Sequence, residues 1–186
     1  LIARSGNVTF DGTRIDREHT HHIVRRGIGY VPEDREVFAG LTVAENMRLA
    51  TRDAKPRKQL VDELFPDLVG RANQRAGTLS GGQQQMLSLA RVLINHNRLL
   101  LVDEPTKGLA PRLVDQVAQA LEEAARTTPF LLVEQNLPVI EHLADQAVVI
   151  DAGVVVHTGN AAELLADEAA VQRFLGVGTD AESSGT

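Results

Sequence analysis

Leu79-Ser80-Gly81-Gly82-Gln83-Gln84-Gln85, followed at a short distance by the apolar run Leu99 to Val102 ending in Asp103-Glu104, is the stretch on which the fold turns. Gly81 and Gly82 let a backbone approach an anion closely, Ser80 adds a hydroxyl, and a helix that starts here offers unpaired N–H groups. Ser80 to Gln83 is also a capping box, in which the serine and the glutamine satisfy each other's free backbone N–H groups, and any helix can use one. Leu99 to Val102 predicts a fully buried strand. Two carboxylates at the end of such a strand need a reason, because an unpaired ionised group in apolar surroundings is costly. A metal ion and a water molecule supply one; capping of a nearby helix is the plainer alternative.

Outward from this stretch, the 186 residues are enough for one core that buries roughly 70% of the unfolded surface. At 43% hydrophobic and 24% charged residues, the composition is that of a globular domain. A net charge of −6 argues against a nucleic-acid partner, since phosphate-backbone affinity comes from clustered Lys and Arg. Cysteine is absent, which excludes disulfides and thiolate metal sites and fits a reducing compartment. The longest apolar runs fall far short of the ~18 residues a bilayer span needs. The chain opens on Leu1 with no basic stretch and apolar core of a signal peptide, so a truncated start is expected.

Along the chain, Asn7 to Phe10, Asp11-Gly12 and Thr13 to Ile15 predict a tight hairpin. His19 to Arg26 predicts a short helix closing at Gly27, and Ile28 to Val31 a strand stopped by Pro32. The loop Glu33 to Gly40 then lies at a strand's C-terminal edge, where open α/β sheets place ligands. Thr42 to Glu45 is a second capping box, and Glu45 to Ala76 predicts several helices in a lobe distinct from the sheet. Helical spacing puts Met86, Leu89, Ala90 and Leu93 on one face, and Val114, Val117, Ala118, Leu121 and Ala125 on another. A strand Phe130 to Val133, a helix near Leu137 to Ala144, strands Ala147 to Ile150 and Val154 to His157 around Asp151-Ala152-Gly153, and a last helix Ala161 to Leu175 complete the pattern. Alternating strands and helices mean an α/β fold with a mainly parallel sheet. The small, polar residues Gly176 to Thr186 predict a frayed tail.

Taken together, the signature-like segment Leu79 to Gln85 and the acidic strand end Asp103-Glu104 resemble the signature and Walker B motifs of the ABC-type ATPases. The likeness extends from the Phe10 hairpin to Gly176. It implies a P-loop NTPase-like core with a helical subdomain, divided as residues 1–41 (partial core with hairpin and Q-loop region), 42–95 (helical subdomain and signature helix), 96–177 (core with Walker B and switch region) and 178–186 (disordered tail). It implies ATP and Mg²⁺ as ligands. The P-loop itself needs Gly-Lys-Ser/Thr, and none of the three lysines, Lys55, Lys58 and Lys107, follows a glycine. The expectation is therefore that a βαβ-sized unit of roughly 30 residues or more is missing, with apolar surface exposed and no appreciable turnover from this chain alone.

The resemblance assigns Leu79, Ser80, Gly81, Gly82 and Gln83 to the γ-phosphate of ATP held by the opposite subunit, which implies a head-to-tail dimer, homomeric or heteromeric. It assigns Asp103 to Mg²⁺ and Glu104 to the attacking water. Glu33 stands at the position of the Q-loop glutamine, which senses Mg²⁺ and links the ATP site to the membrane subunits. Gln135 stands where most members carry the switch histidine, and Ala110 where an aspartate is usual. Gln135 can donate a hydrogen bond to a phosphate, but an amide cannot titrate near neutrality. Glu104 to Pro111, Val133 to Asn136 and Phe174 to Val177 together resemble the ATP-binding subunits of branched-chain amino acid importers, in which these substitutions are ordinary, with urea and amide importers close behind. Permease subunits, an extracytoplasmic solute-binding protein and a peripheral place on the cytoplasmic membrane face follow. A non-catalytic fragment serving as a partner surface and a non-transport ABC ATPase are the competing readings. His19, His21 and His22 read as solvated, as do Glu122-Glu123 and Arg25-Arg26; Asp62 and Glu63 fit either an outer face or a membrane-subunit contact.

Overall fold

A computed structural model describes residues 5–175, so the expected tail at 178–186 lies outside the described residues. The hairpin forms as the Asp-Gly dipeptide predicts: β1 (Thr9–Phe10) pairs antiparallel with β2 (Thr13–Arg14), and Asp11 and Gly12 both adopt positive φ, 51° and 73°. α1 (Thr20–Arg25) ends before Gly27, whose φ of 96° turns the chain into β3 (Ile28–Val31). α2 (Val43–Ala50) starts at the Thr42–Glu45 capping box, which is fully formed. α3 (Lys58–Leu64), α4 (Pro66–Val69) and a 3₁₀ turn over Ala76–Thr78 lead to α5 (Gly81–Leu93) and β4 (Leu99–Asp103). α6 (Pro111–Ala125), β5 (Phe130–Val133), α7 (Leu137–Leu143), β6 (Gln146–Asp151) and β7 (Val154–Asn160) follow, and α8 (Ala161–Ala166) and α9 (Glu168–Leu175) close the described chain.

β3, β4 and β5 form a parallel sheet in that order, with Val31 opposite Val102 and Val102 opposite Leu132. β6 and β7 make a separate antiparallel hairpin with a register shift between Val149 and Ile150. The buried residues of α2, α3, α4 and α5 join Val31, Leu100 and Val102 of the sheet and Val117, Leu121 and Ala124 of α6 in one continuous hydrophobic cluster. The helices after Thr42 and the sheet therefore share a core through α5.

Three packing expectations change. The single apolar face foreseen for α5 is wider: Gln85 to Ala90 are all buried, because this helix is wedged between the sheet and the helical segments. The stripe of α6 runs through Val117, Ala120, Leu121 and Ala124, leaving Ala125 exposed. In β4 only Leu100 and Val102 are fully buried, at 1% exposure each, while Leu99 and Leu101 are half-buried. The pleat explains this, since alternate residues face opposite sides. One side packs on the core; the other carries Tyr30, Leu131 and Val133, exposed by 50%, 56% and 47%. The expected exposure of apolar sheet surface is met there.

The last helix is also not continuous. Asp167 leaves the helical region (φ −89°, ψ 91°), and its Oδ1 accepts from the backbone N–H of Ala170 at 3.0 Å, opening α9 as a new helix.

Gly29 shows how tightly the sheet meets α5. A Cβ there would stand 2.7 Å from Val92 Cγ1, 2.9 Å from Leu100 Cδ2 and 3.0 Å from Asn97 Cγ. Gly29→Ala is expected to cost about 1–3 kcal/mol by overpacking. A urea midpoint that falls with an unchanged slope would show it; a loss below roughly 0.5 kcal/mol would mean that the neighbours yield freely.

Candidate active site at the strand ends

The parallel order of β3, β4 and β5 brings their C-terminal ends side by side, and with them Glu33, Asp103-Glu104 and Glu134-Gln135. Glu104 is the hub. Its backbone N–H donates to the Val133 carbonyl at 2.8 Å, extending the β4–β5 ladder by one residue, and its φ is 41°. Its Oε1 accepts from Gln135 Nε2 at 2.8 Å, and its Oε2 lies 2.8 Å from Lys107 Nζ. Lys107 Nζ also donates to Glu33 Oε1 at 2.6 Å.

Electrostatically, Lys107 and then Gln135 hold the Glu104 carboxyl below its ordinary range, against the opposing effect of burial. Glu104 therefore stays anionic well below neutrality and keeps a lone pair for a proton or a water. Lys107, between two carboxylates, is pushed above the usual lysine range and carries its charge at any working pH. Tyr30 donates to Asp103 Oδ2 at 3.4 Å, and burial together with that carboxylate raises its own titration, so the phenol remains neutral.

The positive φ of Glu104 is a local cost, because Cβ approaches the following carbonyl in the left-handed region. Glu104→Gly and Glu104→Ala both remove the carboxylate, but only glycine relieves the backbone. Glu104→Gly is expected to be more stable than Glu104→Ala by about 1 kcal/mol in chemical denaturation. Equal stabilities, or a more stable alanine variant, would show that the backbone is unstrained.

The segment Leu79 to Gln83 stands apart, at the start of α5. Ser80 Oγ accepts from the Gln83 N–H at 3.3 Å and Gln83 Oε1 from the Ser80 N–H at 3.0 Å, so the capping reading of these residues is correct. It does not exhaust them, since the first helical N–H groups, those of Gly81 and Gly82, have no intrahelical acceptor. The missing side chain at Gly81 admits Arg35, whose Nη1 lies 2.9 Å from where a Cβ would be; a Cβ at Gly82 would meet Leu113 at 2.1 Å. Arg35 comes from the loop after β3, where Arg35 and Glu36 have φ of 65° and 46°. Glu33, Asp34, Arg35 and Lys107 line a cleft of about 230 Å³. A larger cleft of about 550 Å³ between β7 and α8–α9 shares no residue with the strand ends.

Thus Glu33 and Glu104 come together through Lys107, and Gln135 joins them through Glu104. Leu79 to Gln83 make their side-chain hydrogen bonds within their own capping box. Glu33 and Asp103 do not converge: Glu33 pairs with Lys107 and Asp103 with Tyr30, and no three His, Cys, Asp or Glu side chains gather as a metal site among the described residues. Asp103 alone still fits Mg²⁺ bound with a nucleotide, because that ion takes one or two carboxylates and completes its shell with phosphate oxygens and water. His19, His21 and His22 are exposed, with His21 and His22 closest at 4.1 Å between ring centroids.

Sequence reading missed Lys107, Tyr30, Arg35, Thr106 and Glu134. Lys107 carried one signal, as a lysine three residues beyond Glu104; the others carried none.

The profile of the ABC transporter family matches residues 1–107. The chain is also 39% identical over 180 residues to the high-affinity branched-chain amino acid transport ATP-binding protein BraG of Pseudomonas aeruginosa, an alignment covering 94% of this chain and 77% of that protein. The chain belongs to the ABC transporter family, as one of its ATPases. A second relative of this ABC ATPase, the probable branched-chain amino acid transport ATP-binding protein LivF of Archaeoglobus fulgidus, is 35% identical over 182 residues, 93% of this chain and 76% of that protein. The fold matches the dimeric, post-hydrolysis structure of the ATP-binding cassette MJ0796 bound to ADP and Pi, with a TM-score of 0.70 at 22% identity over 84% of this chain and 74% of that one. Among the described residues of the ABC ATPase, no helix is long and apolar enough to cross a membrane.

Proposed function

We propose that this ABC ATPase is the energy-supplying subunit of an importer for branched-chain amino acids, and that Glu104 is its water-activating carboxylate. The observation that carries the site assignment is the position of Glu104, anionic at the end of a core strand, with one oxygen on an amide that cannot titrate. In this reading Glu104 accepts the proton of the attacking water as the γ-phosphoryl group is transferred in line. Gln135 orients Glu104 and has a second amide N–H with which to donate to the γ-phosphate. Asp103 would hold Mg²⁺, which would offset the charge of the phosphates, while Glu33, paired with Lys107, flanks the site from the loop after β3. Leu79, Ser80, Gly81, Gly82 and Gln83 contact the γ-phosphate of a nucleotide held by a second ATPase subunit.

The solute assignment rests on the identity to BraG and LivF, which spans nearly the whole chain, together with Gln135 and Ala110 at positions where other members of the family differ. Membrane permeases and, through them, an extracytoplasmic solute-binding protein complete the assembly, with this subunit peripheral on the cytoplasmic face. Residues 1–41, 42–95 and 96–177 act as partial core, helical subdomain with signature helix, and core with switch region. The absence of Gly-Lys-Ser/Thr from these 186 residues favours a second reading for the chain taken alone, that of a partner that completes another subunit's site without a complete site of its own. Phosphate release measured with the chain alone, and with a second ATPase subunit added, separates the two.

A further inference from the structure

The turn after β5 carries a carboxylate that the proposed mechanism leaves unused. Glu134 accepts three hydrogen bonds. Its Oε1 takes the backbone N–H groups of Gln135 at 2.9 Å and Asn136 at 3.1 Å, and its Oε2 takes the hydroxyl of Thr106 at 2.6 Å. Thr106 is buried, at 5% exposure, and follows Pro105, which is fully buried, in the loop after β4. Glu134 therefore ties the loop after β5 to the loop after β4, one residue before Gln135 on one side and two residues after Glu104 on the other. These are the two residues whose side chains meet at 2.8 Å.

We propose that Glu134 is a positioning residue that holds Gln135 against Glu104. The inference rests on the roles given above to those two residues. A glutamine side chain loses several rotatable bonds' worth of freedom when it is held to one acceptor. Gln135 is exposed, so packing does not choose its rotamer. Two N–H···Oε1 bonds fix the backbone from which it springs, and the Thr106 bond fixes that backbone relative to the loop that carries Glu104. A charged acceptor makes each of these bonds stronger than a neutral one would. Capping of α7 is the simpler role for Glu134, since Asn136 is the N-cap of that helix and lends it no side-chain bond. The Thr106 contact distinguishes the two roles, because it crosses to the β4 loop and contributes nothing to α7.

The test reads the contact itself. In the full ¹⁵N-labelled chain, the side-chain amide signal of Gln135 is identified by its disappearance in Gln135→Glu, and its displacement by the carboxylate is calibrated with Glu104→Ala. Glu134→Ala is expected to move that signal in the same direction as Glu104→Ala does. Thr106→Val, nearly isosteric and therefore the safer variant for folding, is expected to move it part of the way. Glu134→Gln is expected to restore it, since its Oε1 still accepts both N–H groups and its Nε2 donates to Thr106 Oγ1. A Gln135 signal unmoved in Glu134→Ala and Thr106→Val, with shifts confined to the amides of α7, would overturn the proposal and leave a helix cap. Hydrolysis measurements that remove Glu104 from the mechanism would defeat the functional reading while the amide signal still decides the contact.

Discussion

Phosphate release from Mg-ATP by the 186-residue chain alone is expected to stay at the level of its Glu104→Gln variant. Phosphoryl transfer depends on groups aimed at the charge of the transferring phosphate, and removal of one such donor from an active site typically costs roughly 10²–10³-fold in rate. A P-loop supplies several at once, through its backbone N–H groups, its lysine and its hydroxyl. None of the three lysines of this chain follows a glycine, and Lys107, next to the strand ends, is engaged by Glu104 and Glu33 at 2.8 and 2.6 Å. A loss on the order of 10⁴-fold or more follows from two such terms. Turnover by the chain alone that Glu104→Gln abolishes would contradict this.

Adding a second ATPase subunit that carries its own phosphate loop changes the expectation. On the proposed reading the N–H groups at Gly81 and Gly82 face the partner's nucleotide, and hydrolysis at that site is expected to rise by roughly 10²-fold, the weight of one well-placed donor set. Gly81→Asp is expected to abolish the rise, because it puts a carboxylate where a phosphate must bind and crowds Arg35. Glu104→Gln should spare it, since on the proposed reading Glu104 serves the other site. A stimulation insensitive to Gly81→Asp would remove the signature segment from the mechanism.

Asn46→Ala is expected to destabilise the fold by about 1–3 kcal/mol through the loss of a fully buried polar anchor. Asn46 lies in α2 with no exposed surface. Its Oδ1 accepts from the Phe38 N–H at 2.9 Å, and its Nδ2 donates to the carbonyls of Phe38 and Thr42, both at 3.0 Å. Alanine leaves the Phe38 N–H without its partner, at roughly 1–3 kcal/mol for one polar group so orphaned, while the Phe38 carbonyl keeps the Leu41 N–H at 3.0 Å. Phe38 belongs to the loop that begins with Glu33, which is also held by Arg91 Nη1 on the Glu36 carbonyl at 2.6 Å and by Gly77 N–H on the Ala39 carbonyl at 2.9 Å. Faster hydrogen exchange at the Phe38 amide should accompany the lower denaturation midpoint. A change smaller than about 1 kcal/mol would show that water replaces the asparagine without penalty.

Asn46 illustrates where reading a sequence stops. Nothing in the helical pattern of Val43 to Ala50 distinguishes a buried asparagine that holds a loop from one that faces water. The capping boxes at Thr42 and Ser80 are different: each closes its hydrogen bonds within three residues, and both form as expected. Asp11-Gly12 likewise encodes its own turn. Asp103-Glu104 was legible as chemistry because two carboxylates at the end of an apolar strand are conspicuous, yet the residues that hold Glu104 were not. Lys107 reaches Glu33 across 74 positions, Gln135 reaches Glu104 across 31, and Thr106 reaches Glu134 across 28.

The chain's own residue order determined most strands and helices, their caps and turns and the α/β class, because these rest on bonds and periodicities a few residues long, and it carries the glycine-rich and acidic motifs whose resemblance to the ABC ATPases the relatives bear out. The break of the last helix at Asp167 is local as well, closed by its bond to the Ala170 N–H; the tertiary structure alone decided which side of β4 is buried and how Glu33, Lys107, Glu104 and Gln135 share one edge. Those outcomes depend on which strand ends become neighbours, and that is settled only when β3, β4 and β5 align in parallel and α5 packs across them.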